Sequence, residues 1–169
     1  RRAMSEISPT QPRRLADVAQ WDHETDVAIV GFGGAGACAA IEAADAGAEV
    51  TLFEVASAGG GSTALSSAEV YMGGGGGTRV QRACGYEDST EDMFNYLMAA
   101  QGDLADEAKI RLYSDRSVEH YHWLTGHGVP FDMGFVDYEV STLPEPGKSL
   151  SYTGSERAWP YREIAAPAP

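Results

Sequence analysis

Between Asp26 and Glu54 the sequence reads DVAIVGFGGAGACAAIEAADAGAEVTLFE, and this stretch restricts the fold more than any other. It opens on a short run of small and β-branched apolar residues, Val27 to Val30, with the character of a strand. Gly31-Phe32-Gly33-Gly34-Ala35-Gly36 follows and fits G-x-G-x-x-G. Ala39, Ile41, Ala43 and Ala44 then recur at helical spacing, and Gly47 closes that segment. A second apolar run, Val50 to Phe53, ends on Glu54. The order is strand, tight turn, helix, strand, terminal acid, which is the order a dinucleotide requires.

Each position has a physical reason. Gly31 lets the chain turn sharply out of the first strand. Gly33 presents no side chain, so a pyrophosphate can approach the backbone, and Gly36 lets the helix pack closely on the sheet. The first amides of a helix lack internal partners, and the helix dipole favours an anion there. Each such contact contributes about 0.3–1 kcal/mol, so affinity has to come from many of them. Glu54 lies 23 positions after Gly31, where an acid accepts hydrogen bonds from a ribose diol. It would repel a 2′-phosphate, and no Arg or Lys follows closely to receive one. A glycine turn in an ordinary βαβ unit would explain the glycines but leave Glu54 a coincidence.

After Glu54 the chain does not enter an amphipathic crossover helix. It runs Val55-Ala56-Ser57-Ala58-Gly59-Gly60-Gly61-Ser62-Thr63, then Ala64-Leu65-Ser66-Ser67-Ala68-Glu69, a second Gly/Ser loop expected to lead into a short helix. A second set of backbone donors and hydroxyls suits a ligand that continues past the first phosphate site. FAD is such a ligand. A flexible linker has the same composition, but Leu65, Val70, Tyr71 and Met72 interleave it with residues that pack.

The pair GFGGAG and GGGSTALSSAEVYMGGG resembles the N-terminal flavin domain of the fumarate reductase/3-ketosteroid dehydrogenase family. Within that family, LADVAQWD, VQRACGYEDS and WLTGHGVPF are most similar to bacterial 3-ketosteroid dehydrogenases acting on ring A, in the 4-ene-forming (5α) branch. The resemblance covers residues 15–168. It implies that Gly31, Gly33, Gly34, Ala35 and Gly36 hold the FAD pyrophosphate, with Glu54 on the adenosine ribose and Val55 and Ala56 beside it. It implies further that Gly61, Ser62, Thr63 and Ala64 line the path toward the flavin, and that Ser66, Ser67 and Ala68 sit near the isoalloxazine. The family commonly has S-G-G at this last point, and here Ser67 and Ala68 replace the two glycines. No His stands in Gly60-Gly61-Ser62-Thr63 to carry a covalent flavin, so noncovalent FAD is expected.

Gly73 to Gly77 is expected to be a turn at a loop tip. Ser89-Thr90-Glu91-Asp92 has the form of a helix start, with Met93, Phe94, Leu97, Met98 and Ala100 supplying its apolar face. Asp106 to Tyr113 and Ser114 to Thr125 read as two further helices, the second closed by Gly126 or Gly128. His120 and His122 stand two apart and point away from each other on a helix, so with His127 they form no metal site. Tyr138 and Tyr152 are candidates to face an active site, against the plainer reading of aromatics packed in a loop.

The net charge of −13 repels nucleic acid and anionic membrane surfaces. No apolar run approaches the roughly 20 residues that span a bilayer. Cys38 and Cys84 show no metal spacing, Cys38 reads as a small buried residue, and the cytoplasm is the simplest setting. Arg13-Arg14 is followed by no export signal, and Met4 is a candidate natural start.

The expected fold is therefore α/β, a Rossmann-like FAD-binding domain of the glutathione-reductase type. It would be incomplete and carry an inserted helical segment. Residues 1–24 form an N-terminal arm, pinned by Leu15 and Trp21. Residues 25–131 form the N-terminal part of the FAD-binding domain, with helices over 89–128, and 132–169 start a connection toward an absent substrate domain. The resemblance implies dehydrogenation of a carbon–carbon bond next to a ketone, with a steroid as the small-molecule substrate. Its alternatives are a fumarate-reductase-like flavoprotein, whose dicarboxylate clamp no motif here supplies, and an inactive nucleotide-binding fragment. Catalytic residues are expected outside this chain, in a missing C-terminal part or a second subunit.

Overall fold

Val27–Val30 (β1) and Val50–Phe53 (β2) lie in parallel, Val27 opposite Val50 and Val30 opposite Phe53, with Gly34–Asp45 (α1) packed on both. The helix ends where the sequence places Gly47: its φ of +86° reverses the chain, and the Ala48 N–H donates to the Ala43 carbonyl at 3.0 Å. The computed structural model describes residues 12, 14–137, 146–152 and 154–169. They form two compact units, one ending at Ser66 and the other beginning at Ser67.

In the first unit a two-stranded sheet covers little apolar surface, so α1 has no fully buried residue and Val30 stays 88 % exposed. Cys38, expected to be buried, is half-buried for the same reason. The segment before β1 is not pinned by Trp21, which is exposed. Polar contacts tether it: His23 Nε2 shares a hydrogen bond with Thr51 Oγ1 at 2.7 Å, and the Thr25 hydroxyl donates to the Glu49 carbonyl at 2.7 Å.

The second unit is mainly helical, with α2 at Arg79–Ala83, α3 at Thr90–Gln101, α4 at Glu107–Gly126 and α5 at Tyr161–Ile164. Ser89 caps α3 as expected, its Oγ accepting the Asp92 N–H at 2.9 Å. The two helices expected over 106–125 are one. Ser114 is not a cap, because Ser114, Ser117 and Tyr121 share the buried face of a continuous α4.

That face meets the glycine run, which is packed at both ends: Gly73, Gly74 and Gly77 are buried, while Gly75 and Gly76 form the exposed turn expected there. A Cβ on Gly74 would stand 3.3 Å from the Ser114 carbonyl oxygen, and one on Gly75 would stand 3.2 Å from Val118 Cγ2. Small residues on both sides let the backbone approach α4 closely.

The core joins Val80, Tyr121 and Leu150, with Met72, Tyr86, Phe131 and Phe135 against them. Phe135–Val136 (β3) and Leu150–Ser151 (β4) form a short parallel pair beside it. Tyr152 is buried, with ring centroids 5.9 Å from Phe135 and 6.3 Å from Tyr86 and the Arg157 guanidinium 4.3 Å over its face. It is a core aromatic. Tyr138 lies outside the described residues.

His120, His122 and His127 are exposed, and the rings of His120 and His127 lie against Trp123 with centroids at 6.1 and 4.2 Å. No helix among the described residues is long and apolar enough to cross a membrane.

Candidate dinucleotide site

The first turn begins while the ladder is still paired. Gly31 has a φ of +98°, and its N–H donates to the Phe53 carbonyl at 2.7 Å. Gly36 sits in the first turn of α1, and a Cβ there would run into the Gly31 carbonyl oxygen. Glycine at 36 is thus demanded by the chain's own packing. Gly33 differs. It caps α1 with a φ of −88°, and the nearest atom to an added Cβ would be the Gly60 carbonyl oxygen at 3.9 Å. The fold does not need a glycine there, and the space above Gly33 is open.

The second turn lies against the first. The Gly60 N–H donates to the Phe32 carbonyl at 2.5 Å, and a Cβ on Gly59 would enter the Phe32 ring. Gly60 and Gly61 have φ of +118° and +51°, and a Cβ on Gly61 would stand 3.4 Å from Gly33 Cα. Thr63 Oγ1 accepts the Gly34 N–H at 3.1 Å. The short helix expected after this loop is a 3-10 turn within it, Gly61–Leu65, on which Ser62 and Ala64 are exposed. Ser66 ends that turn, its hydroxyl donating to the Thr63 carbonyl at 2.8 Å.

Glu54 follows β2 directly, and both its oxygens are engaged. Oε1 accepts the Ala56 N–H at 2.8 Å and Oε2 the Phe32 N–H at 2.7 Å. These N–H groups, Ala56 first, hold its carboxyl below the usual carboxylate range. Val55 beside it is wholly exposed, and Ala35 is exposed in the first turn of α1.

The expected site residues from Gly31 to Ser66 all fall in the first unit, while Ser67 and Ala68 open the second. There they help line a cavity of about 410 Å³, with Val70, Phe131, Gln81 and Asp88 among its walls. Ala68 has a φ of +60°, the one positive value at a non-glycine among the described residues.

The five-glycine run differs, because every amide in it is engaged. Its amides donate in turn to Ser117 Oγ, Asp88 Oδ2, Thr90 Oγ1 and the carbonyls of Asp88 and Gly74, at 2.7–3.0 Å. None is left for an anion.

The sequence reading missed Phe32 and Gly60 as parts of the site. The only signal was their position within or beside glycine pairs. It also missed α2, although Thr78-x-x-Gln81 forms a capping box, with Thr78 N–H to Gln81 Oε1 at 2.7 Å and Gln81 N–H to Thr78 Oγ1 at 3.2 Å.

A parallel βαβ pair with a glycine turn, an acid after its second strand and another glycine turn laid on the first is a dinucleotide-binding unit. A sequence profile described as FAD binding domain matches residues 26–162, and the chain belongs to that family. It is 39 % identical over 141 residues to the 3-oxo-5-alpha-steroid 4-dehydrogenase of Comamonas testosteroni, covering 83 % of this chain and 26 % of that protein. The crystal structure of the 3-ketosteroid-delta4-(5alpha)-dehydrogenase of Rhodococcus jostii RHA1, in complex with 4-androstene-3,17-dione, superposes with a TM-score of 0.83. It is 49 % identical and matches 94 % of this chain but 32 % of its own. An open flavocytochrome c3 fumarate reductase matches with a TM-score of 0.58 at 28 % identity, over 74 % of this chain and 22 % of its own. The chain thus spans about a quarter to a third of the two steroid-enzyme relatives it matches.

Proposed function

We propose that this chain is the N-terminal FAD-binding portion of a flavin-dependent oxidoreductase that dehydrogenates a carbon–carbon bond next to a ketone, in ring A of a 3-ketosteroid. The observation that carries this reading is the second glycine turn resting on the first, Gly60 against Phe32 and Thr63 against Gly34. Two joined turns make a cradle longer than a mononucleotide needs. Gly31, Gly33, Gly34, Ala35 and Gly36 would hold the pyrophosphate, and the open space above Gly33 fits it. Glu54 would accept the ribose diol, with Val55 and Ala56 beside it. Gly61, Ser62, Thr63 and Ala64 would line the way onward, and Ser66, Ser67 and Ala68 would serve the flavin end. Bound there, FAD supplies a ring that takes up a hydride. The chain's own residues bind and orient it, and no residue here is assigned as the acid or base.

The fold we propose is Rossmann-like, of the glutathione-reductase type, with the helices over 89–128 inserted. Residues 1–24 act as an arm, and 132–169 lead toward a substrate domain or a second subunit. The flavin is held noncovalently, since Gly60–Thr63 contains no His, and the setting is the cytoplasm. The higher identity and TM-score of the steroid relative favour a steroid over a dicarboxylate substrate.

Anaerobic titration of the purified natural gene product tests this. Bleaching of its flavin by a saturated 3-ketosteroid, and not by succinate, is expected. Bleaching by succinate alone would overturn the steroid assignment, and a product that takes up no FAD would overturn the flavin one.

A further inference from the structure

Phe32, between the first two glycines of the turn, is held from both sides. Its N–H donates to Glu54 Oε2 at 2.7 Å, and its carbonyl accepts the Gly60 N–H at 2.5 Å. The other oxygen of Glu54 takes the Ala56 N–H at 2.8 Å, where the chain leaves β2. We propose that Glu54 is a positioning residue as well as a ribose acceptor. Its carboxylate ties the glycine turn to the exit of β2 and sets the cradle before any dinucleotide enters, an inference that rests on the dinucleotide reading above.

The two roles are compatible. A carboxylate offers about four lone-pair directions, and two amides leave the others for a diol. Glycines at 31 and 33 give the turn wide conformational freedom. Binding would have to remove that freedom if nothing else did, so a clamp present beforehand raises affinity without touching the ligand. Bonds from N–H to an ionised acceptor are the stronger kind for such a task.

The test compares the full chain with Glu54→Gln, which keeps the size and loses one acceptor. In the FAD-free proteins, amide hydrogen exchange is followed at Phe32 and Ala56. Both proteins are then titrated with ADP and with 2′,3′-dideoxy-ADP, which has no diol. Faster exchange at Phe32, Ala56 or both, and several-fold weaker binding of both nucleotides, are expected in the variant. Removing a negative charge near phosphates would by itself strengthen binding, so weakening is the more telling result. Unchanged exchange, with the loss confined to ADP, would overturn the clamp and leave only a ribose contact. If the wild-type chain binds neither nucleotide yet the exchange changes as expected, the dinucleotide reading fails and the clamp stands.

Discussion

The hydroxyl oxygen of Thr63 accepts the N–H of Gly34 at 3.1 Å, so a side chain of the second glycine turn caps the first turn of α1. This bond, the one from Gly60 to Phe32 and the pair on Glu54 close the two turns into one structure. Turns tied to each other in this way keep their shape without a ligand. The cost is that the Gly34 N–H is already engaged when an anion arrives at this end of α1.

Thr63→Val keeps the shape and removes the acceptor. It should destabilise the first unit by about 0.5–1.5 kcal/mol, the usual net value of such a bond. Thr63→Ser should restore most of the loss. Chemical denaturation of the three proteins measures this, and equal midpoints would show that the bond contributes nothing.

Asp88 carries a pH dependence of definite sign. Burial pushes its carboxyl above the usual range, while the Gly74 amide and the Gln81 side chain pull it down and the neighbouring Asp92 adds to the rise. Its folded value is raised, so its contribution to stability is complete below the unfolded value of about 3.9 and is lost as pH rises through the folded one. Asp88→Asn cannot ionise. Its melting temperature should therefore gain on that of wild type as pH rises through the acid range, and a constant difference would contradict the assignment.

Ala68 holds a φ of +60°, which costs a residue bearing a Cβ about 1–2 kcal/mol. Glycine has no such penalty but gives up about 0.5–1 kcal/mol to chain entropy. Ala68→Gly should thus raise the stability slightly, where Ala→Gly elsewhere lowers it. Thermal unfolding decides, and a clear loss would mean that the strain is absent.

Much of this was legible in the residues, for identifiable reasons. β1, α1, β2 and Glu54 follow from hydrophobic period, turn chemistry and a fixed spacing, all local properties. The Ser89 cap is local too. What could not be read depends on contacts distant in sequence. The turn at Gly75 and Gly76 was legible, but the packing of Gly73–Gly75 stays hidden until Ser114, Ser117 and Val118, more than 35 positions on, are seen against them. Tyr152 looks like a free aromatic until Tyr86 and Phe135 enclose it. The continuity of α4 was hidden because Ser114 has the chemistry of a cap but lies on a buried face. Among the site residues, Thr63 was read as a ligand-path hydroxyl, and its bond to Gly34 was invisible across 29 positions.

Gly36 is demanded by the fold and Gly33 is not, so the two should separate under substitution. Gly36→Ala should destabilise the chain by about 1–3 kcal/mol, the usual cost of overpacking, because its Cβ meets the Gly31 carbonyl. Gly33→Ala should melt with wild type, since its Cβ meets nothing nearer than 3.9 Å. The most direct measurement is therefore a titration of FAD into wild type and Gly33→Ala, followed by flavin fluorescence with melting curves recorded alongside. Saturable binding of one FAD by wild type, and at least about tenfold weaker binding by an equally stable Gly33→Ala, is the expected result, since a tenfold loss is only about 1.4 kcal/mol. Equal affinity in the two proteins, or no binding by either, would show that the paired turns do not hold FAD.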